Sequence, residues 1–179
     1  GRLQGEAIAR TLTYVAAYVR RCHELDVEEV AITATAAARM AENGSALMDA
    51  IREKVHIEPV LITGEDEGTL SFLSLCESSN VGEGGLTVVD VGGGSTEIVW
   101  GAQGRVEERL SLPLGVVSLS EAYLPSDPPS KDEIGRLKGE ISQHLQRVPV
   151  HPPAQLVSVG GTVTTLAAVD QGLNVYDSH

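Results

Sequence analysis

The sequence predicts an α/β fold, and three observations support this class. In the opening third, short apolar strands alternate with amphipathic helical segments. After that third, apolar strands follow one another closely and are separated by glycine turns. The chain has 179 residues, of which 42% are hydrophobic and 3% aromatic. This is about one to one and a half ordinary domains, with enough apolar material for an aliphatic core.

The first helix is predicted from a single apolar stripe. Its members recur at spacings of four, three and four residues: Ile8, Leu12, Val15 and Val19. A β-rich stretch over residues 30–33 follows and runs into small residues at 34–38. Asn43 and Ser45 are typical helix-capping residues, and we expect them to start a helix over residues 47–55.

The next two segments are predicted to be a short buried strand and an acidic helix. The strand covers residues 59–63, and Gly64 stops it. The helix, residues 65–75, opens with acidic residues and turns apolar through Leu70 and Leu73. Negative charge is favourable at a helix N-terminus because it complements the helix dipole.

The polar, glycine-rich residues 77–85 predict a connection between two lobes. We therefore expect a first lobe over residues 1–76 and a second lobe over residues 77–179. The second lobe is predicted to begin with an antiparallel meander of three strands. Its elements are expected in this order: strands at 86–91, 96–100 and 106–114, a helix at 119–124, a capping loop at 127–130, a helix at 131–146, a strand at 156–159 and a helix from about Thr162.

The net charge excludes nucleic-acid binding as the function. The chain has 13 Lys and Arg against 25 Asp and Glu, a formal charge of −12. Nucleic-acid binders, by contrast, derive most of their affinity from basic residues that neutralise phosphates. The same charge opposes long-range attraction of a phosphate-bearing substrate. Such a substrate would have to be held locally by backbone N–H groups, a few placed cations or a metal ion.

Two further observations bear on compartment and partners. No apolar run approaches the roughly 18 residues that a membrane span needs, so we expect no membrane partner. Cys22 and Cys76 show neither a CxxC pattern nor zinc spacing. We interpret them as reduced thiols of a cytoplasmic protein.

The strongest chemical feature reads DVGGGSTE and lies between two predicted strands. Three consecutive glycines allow positive φ and a close approach to a ligand, and successive N–H groups in such a turn form an anion-binding nest. Ser95 and Thr96 add hydroxyl donors. Asp90 and Glu97 flank the turn on neighbouring strands, so both can meet one hard cation such as Mg²⁺. A plain glycine-rich β-turn is the alternative, which the polar neighbours disfavour.

The second feature is the acidic segment GEDEG over residues 64–68. One interpretation is that its three carboxylates only complement the dipole of the helix that begins there. The other is that one of them is a general base that activates water, with a pKa raised by its like-charged neighbours. Three adjacent acids cannot all have that role.

Five segments, taken in order, together resemble one family of proteins. They are TAAAR at 35–39 with Asn43, ITGEDE at 62–67, VDVGGGSTE at 89–97, SLPLGVV at 111–117 and GGTVTTLAA at 160–168. Over nearly its whole length the chain is similar to the exopolyphosphatase/guanosine pentaphosphate phosphohydrolase family. The resemblance implies a two-lobed, actin-like ATPase (ribonuclease H-like) fold that closes on a phosphate chain. The acidic segment separates this family from actin-like ATPases, which carry a similar glycine hairpin.

The resemblance also implies a role for each matching residue. Glu67 matches the family's base that positions the attacking water, and Asp66 stands where the family has a first glutamate. Asp90 and Glu97 would serve the water and Mg²⁺ or another divalent cation. From composition alone, Arg39 is instead a solvated cation at the start of a helix. The residues that the resemblance assigns to phosphate or substrate binding are Arg39, Gly92, Gly93, Gly94, Ser95, Thr96, Gly161 and Thr162.

The sequence departs from the family pattern at both ends. Family members open with a β-hairpin that carries an Asp-x-Gly-Ser-Asn-Ser-like phosphate clamp, and residues 1–3 enter the pattern at the helix after it. Family members also usually continue beyond residues 174–179. We therefore expect a fold that is incomplete at the N-terminus of the first lobe and the C-terminus of the second.

The leading hypothesis is that the protein is a Mg²⁺-dependent hydrolase of inorganic polyphosphate or of guanosine pentaphosphate. The resemblance also implies a homodimer, because members of the family are often homodimeric. One alternative is a nucleotide-binding actin- or chaperone-like module, in which residues 162–168 lie beside an adenosine. Another is a catalytically silent relative that senses guanosine tetra- or pentaphosphate. The sequence alone does not separate polyphosphate from the guanosine nucleotides.

Overall fold

The computed structural model describes residues 1–78, 84–151 and 155–173. The chain divides into two compact units, Gly1–Thr63 and Gly64–His179. The predicted lobe boundary after residue 76 stays a prediction, while the helix over residues 64–78 packs within the second unit. Most of the predicted connection, residues 79–83, lies outside the described residues. No helix in the described part of the chain combines the length and apolar character needed to cross a membrane.

The first unit packs two longer helices around a small core. Its elements are α1 (Gly5–Glu24), β1 (Thr33–Ala34), α2 (Ala36–Met40), α3 (Gly44–Val55) and β2 (Val60–Leu61). The predicted stripe of α1 is confirmed, because Ile8, Leu12 and Val15 pack against the buried Ala38, Leu47 and Ile51. Strands β1 and β2 pair in parallel. Both are shorter than predicted, and the expected burial of β2 is wrong, since Val60 is 55% and Leu61 46% exposed.

Asn43 does not cap α3 through its side chain, contrary to expectation. Its Oδ1 accepts a hydrogen bond from the Leu3 N–H at 2.8 Å, and its Nδ2 donates to the Leu3 carbonyl at 3.0 Å. Ser45 lies inside the helix rather than before it. The helix begins at Gly44, where a Cβ would lie 1.9 Å from the Ala38 carbonyl oxygen. The side chain of Asn43 therefore ties down the segment before α1.

The second unit is built on a four-stranded mixed sheet in the order β5-β4-β3-β6. Its strands are β3 (Gly85–Val91), β4 (Thr96–Ala102), β5 (Arg105–Leu112) and β6 (Gln155–Val159). Strands β3, β4 and β5 form the predicted antiparallel meander, and β6 pairs with β3 in parallel. The helices are α4 (Gly64–Ser78), α5 (Val116–Tyr123), α6 (Lys131–Leu145) and α7 (Gly161–Asp170).

Helices cover both faces of this sheet, so the central strand β4 is buried. On one face, Phe72 of α4 packs against Val88 and Val99. On the other, Ile98 and Trp100 pack with apolar residues of α5 and α6. The two leucines through which the sequence of α4 turns apolar are exposed, Leu70 by 54% and Leu73 by 39%.

The predicted capping loop before α6 is confirmed. Ser130 Oγ accepts from the Glu133 N–H, and the Glu133 carboxylate accepts from the Ser130 N–H, which together form a capping box. Ser126 Oγ donates a further hydrogen bond to Glu133 at 2.9 Å. These hydrogen bonds favour the charged carboxylate and hold the pKa of Glu133 below its usual value.

Candidate active site

The first turn of α4 packs directly on the sheet through two glycines. At Gly64, a Cβ would lie 2.1 Å from Ser111 Oγ and 3.0 Å from Glu97 Oε1. At Gly68, a Cβ would lie 2.8 Å from Val99 Cγ2 and 3.0 Å from Glu97 Cβ. Real Cβ atoms do not approach other atoms this closely, so only glycine lets the helix backbone come so near β4. The turn that carries the three acids therefore lies against Glu97.

This packing distinguishes Glu67 from its two acidic neighbours. Residues 64, 67, 68 and 71 share one face of an α-helix, and Gly64 and Gly68 place that face on the sheet. Glu67 is half-buried, with Oε2 shielded from solvent. Glu65 and Asp66 are exposed. Of the three, Glu67 is thus the acid that the helix directs toward the sheet.

Asp90 and Glu97 are direct neighbours across β3 and β4. They lie on the sheet face that α4 covers, because the next pair on that face is Val88 and Val99, which contact Phe72. Cβ atoms of such opposed residues are about 4.5–5.5 Å apart. The sequence prediction that these two carboxylates meet at one end of the hairpin agrees with this register.

A serine hydroxyl holds each of the two carboxylates. Ser71 Oγ of α4 donates to Asp90 Oδ2 at 2.8 Å. Ser111 Oγ of β5 donates to Glu97 Oε1, also at 2.8 Å. Glu97 is 2% exposed, whereas Asp90 is only partly buried. Of the two carboxylates, Asp90 is therefore the more accessible to an ion.

The side chains of Asp90 and Glu97 are chemically suited to bind a divalent cation. Both supply hard carboxylate oxygens from adjacent strands on one sheet face. Mg²⁺ commonly takes one or two protein carboxylates and completes its shell with water and substrate phosphates. Among the described residues no group of three or more His, Cys, Asp or Glu side chains could hold a metal. A cation here would thus take its remaining ligands from water and, when substrate is bound, from substrate phosphates.

The glycine turn is anchored by the start of α5. The Val116 N–H donates to the Gly92 carbonyl at 3.1 Å, and the Val117 N–H donates to the Gly93 carbonyl at 2.9 Å. A Cβ on Gly115 would lie 2.2 Å from the Gly93 oxygen and 2.3 Å from Gly94 Cα. The turn therefore satisfies N–H groups at the helix start, and Gly115 is needed for the close approach.

Two details of the turn differ from expectation. Gly92 and Gly93 do not have φ in the left-handed region, so positive φ is not why glycine stands there. The Thr96 hydroxyl donates to the Leu114 carbonyl and is buried. The proton of that hydroxyl is thus used to join the start of β4 to the segment that follows β5. Ser95 beside it is 5% exposed.

The start of α7 lies beside Asp90. Strands β3 and β6 run in parallel, so their carboxyl ends meet at the same sheet edge, where ligands of α/β proteins commonly bind. Gly160 has φ +92°, and a Cβ on it would lie 2.9 Å from Asp90 Oδ1. Gly161 and Thr162 follow as the first residues of α7. The structure therefore brings this predicted segment to the same carboxylate as the glycine hairpin.

Arg39 belongs to the first compact unit, at the end of α2. Its Nη1 donates to the Ile62 carbonyl at 2.7 Å. Its side chain is half-buried, so Arg39 is not the fully solvated cation that is expected from the composition of the sequence alone. Its assignment to phosphate binding stays a prediction.

Three residues at this site were not among the predicted site residues. Ser71 could have been identified from the sequence, because it is a polar residue one helical turn after Glu67. Ser111 could be found only from the register that places it opposite Glu97. Gly115 lies in the segment SLPLGVV, but its close approach to Gly93 and Gly94 is set by packing, which the sequence does not contain.

Comparison with known proteins decides the family. The sequence pattern of the Ppx/GppA phosphatase family matches residues 1–179. The chain belongs to this family. Exopolyphosphatase 2 of Mycobacterium tuberculosis is 34% identical over 194 residues, which cover 99% of this chain and 58% of that protein.

Solved structures agree with this assignment. The Ppx/GppA enzyme of Aquifex aeolicus is 37% identical with a TM-score of 0.79, covering 99% of this chain and 58% of that one. An exopolyphosphatase-like protein is 30% identical with a TM-score of 0.88, covering 96% and 56%. The predicted family and its α/β fold are confirmed. This Ppx/GppA chain spans less than two thirds of the relatives it matches.

Proposed function

We propose that the protein hydrolyses the terminal phosphoanhydride bond of inorganic polyphosphate, of guanosine pentaphosphate, or of both. The observation that carries this proposal is the close packing of Gly64 and Gly68 against Glu97. It places the face of α4 that contains Glu67 over the sheet face that contains Asp90 and Glu97. The proposed general base on α4 and the two proposed cation ligands on β3 and β4 thus lie on facing surfaces of helix and sheet, next to a glycine turn.

In the proposed reaction, the glycine turn binds the terminal phosphoryl group. Glu67 orients a water and accepts its proton as the water oxygen attacks phosphorus. The bond between that phosphorus and the bridging oxygen breaks, and the bridging oxygen keeps the electron pair. The products are orthophosphate and a chain shorter by one phosphate, or guanosine tetraphosphate. Catalysis of this kind rests mainly on positioning and electrostatic stabilisation.

Asp90 and Glu97 are the proposed holders of Mg²⁺ or another divalent cation. When bound, the ion would neutralise charge on the phosphate oxygens. The chain's own residues contribute orientation, since Ser71 and Ser111 each fix one carboxylate. A local positive charge is also what a protein with net charge −12 needs to hold a polyanion.

The decisive experiment is phosphate release by the whole protein. Inorganic polyphosphate and guanosine pentaphosphate are each incubated with it, with and without Mg²⁺, and orthophosphate is measured. Mg²⁺-dependent release from either substrate supports the proposal, and the two rates decide the substrate. Release from neither, at any divalent cation tested, contradicts it. Tight binding of the guanosine nucleotides without release would favour a sensor, and ATP binding alone a nucleotide-dependent switch.

Two further predictions remain attached to this function. A cytoplasmic location follows from the interpretation of Cys22 and Cys76 as reduced thiols. A homodimer is the second prediction, because members of the family are often homodimeric. Fractionation and light scattering of the whole protein test these two predictions.

A further inference from the structure

A hydrogen bond from Ser71 of α4 to the carboxylate of Asp90 joins the helix to strand β3. Its Oγ donates to Asp90 Oδ2 at 2.8 Å, between residues 19 positions apart in the chain. A hydrogen bond to a charged acceptor is stronger than one between neutral groups. The bond therefore links α4 to the end of β3 at the proposed metal ligand.

The direction of this hydroxyl differs from that of other helical hydroxyls in the protein. Serine and threonine within a helix commonly donate to the carbonyl four residues earlier. Described residues that do so include Thr11, Thr13, Thr69, Ser120, Thr164 and Thr165. Ser71 has the Glu67 carbonyl at the same offset but donates to Asp90. Its hydroxyl thus serves tertiary structure rather than its own helix.

The second oxygen of Asp90 is confined as well. A Cβ on Gly160 would lie 2.9 Å from Asp90 Oδ1, so that oxygen rests against the backbone where α7 begins. Ser71 on one oxygen and Gly160 beside the other restrict rotation of the carboxylate. A carboxylate has about four acceptor sites, so both oxygens keep lone pairs for a cation.

Ser71 also lies one turn after Glu67 on the same face of α4. The proposed base and the hydroxyl that holds the proposed cation ligand are therefore on one rigid helix. We propose that Ser71 is a positioning residue, which orients Asp90 toward a divalent cation and fixes Asp90 relative to Glu67. This inference rests on the proposed function, because it takes Asp90 as a cation ligand.

The test measures cation binding directly. Mn²⁺ is titrated into the whole protein without substrate, and free Mn²⁺ is followed by electron paramagnetic resonance. Loss of a group that orients a metal ligand typically weakens metal affinity about 10–100-fold. We expect that loss in Ser71→Ala and its recovery in Ser71→Thr, which keeps a hydroxyl. Ser120→Ala is the matched control, because its hydroxyl bonds only within its own helix.

The melting temperature of each variant separates orientation from folding. If Ser71→Ala melts near the wild type and binds Mn²⁺ with wild-type affinity, the inference is overturned. If Ser71→Ala lowers only the melting temperature, the role is structural and the inference is also overturned. If Ser71→Ala folds poorly, the Mn²⁺ affinity of Ser71→Thr is the deciding measurement. The inference requires wild-type affinity in this variant, which keeps the hydroxyl, and a weakened affinity in folded Ser71→Thr overturns it.

Failure of this inference is distinguishable from failure of the proposed function. Wild-type protein that binds Mn²⁺ and releases phosphate, with no effect of Ser71→Ala, removes only the role of Ser71. Wild-type protein that releases no phosphate from either substrate removes the proposed function, while Mn²⁺ affinities still decide whether Ser71 orients Asp90. Wild-type protein that binds no Mn²⁺ overturns both the cation site and the role of Ser71.

Discussion

Gly68 of α4 lies so close to Glu97 of β4 that a Cβ on the glycine would be 3.0 Å from the Cβ of the glutamate. Glu97 is 2% exposed beneath this contact. Since Glu67 precedes Gly68 and shares its side of the helix, the contact determines where the acidic turn meets the hairpin. The candidate site thus depends on a helix that a larger residue would lift from the sheet.

Gly68→Ala is predicted to destabilise the protein and lower phosphate release. The new methyl group would lie 2.8 Å from Val99 Cγ2, and overpacking of this kind costs about 1–3 kcal/mol. That cost exceeds the roughly 0.5–1 kcal/mol that alanine gains over glycine in a helix. Denaturant unfolding and phosphate release measure both effects.

The control for Gly68→Ala is Gly139→Ala in α6, where a Cβ would meet nothing within 4 Å. This variant should be as stable as the wild type or slightly more so, because only the gain in helix propensity applies. Equal stabilisation of both variants would contradict the close packing of α4 on β4.

Glu67→Gln is predicted to lower turnover about 10²–10⁴-fold, the usual contribution of a general base. The amide keeps the size of the side chain but cannot accept the proton. Glu65→Gln, in the same helical turn but exposed, should retain near wild-type turnover. Single-turnover phosphate release by the two variants is the measurement. Equal losses would mean that the acidic turn acts only through its total charge.

Gly115→Ala is predicted to disrupt the glycine turn. Its Cβ would lie 2.2 Å from the Gly93 carbonyl oxygen, which is backbone and cannot swing aside. We expect a lower melting temperature and a raised KM, since the segment proposed to bind phosphate must move. Gly135→Ala, which meets nothing within 4 Å, is the matched control. An unchanged KM in a folded Gly115→Ala would show that the turn tolerates displacement.

Acid should weaken the capping box of α6. Hydrogen bonds from the Ser130 N–H and hydroxyl, together with Ser126, lower the pKa of Glu133. A carboxyl with a lower pKa when folded adds stability above its unfolded pKa, and this stability disappears as the pH falls through the folded value. Glu133→Gln should therefore be less stable than wild type at pH 7, and the difference should shrink below about pH 4.

Urea unfolding at several pH values measures this difference. Asp132→Asn changes an exposed carboxylate in the same helical turn and should show a much smaller effect. A stability difference between wild type and Glu133→Gln that is the same at pH 7 and pH 3 would contradict the assigned role of the charge.

Much of the local structure could be predicted from residue patterns. The stripe of α1, the three-strand meander, the acidic start of α4 and the capped helix α6 all depend on neighbours within a few residues. The pairing of Asp90 with Glu97 was equally accessible, because a short turn between two strands nearly fixes their register. Where contacts are local in sequence, spacing and turn chemistry are sufficient.

Contacts between distant segments decided the rest. The sequence shows that α4 turns apolar through Leu70 and Leu73, but Gly64 and Gly68 determine the face that packs. The fully buried apolar side chain on that face is Phe72. The Asn43 side chain binds Leu3 across 40 residues instead of capping its helix, and Thr96 binds Leu114. A polar side chain bonds to whichever partner the assembled backbone brings near, and periodicity does not contain that information.

The sequence by itself determined the family, the fold class and the residue types at the candidate site. The family resemblance already selected Glu67 among three adjacent acids, and the tertiary structure supplied the physical basis by turning its face of α4 toward the sheet. Only the tertiary structure introduced Ser71 and Ser111 as the groups that hold the carboxylates. The physical reason is that residue type defines what a side chain can do, whereas the close packing of helix on sheet defines which one is in place to do it.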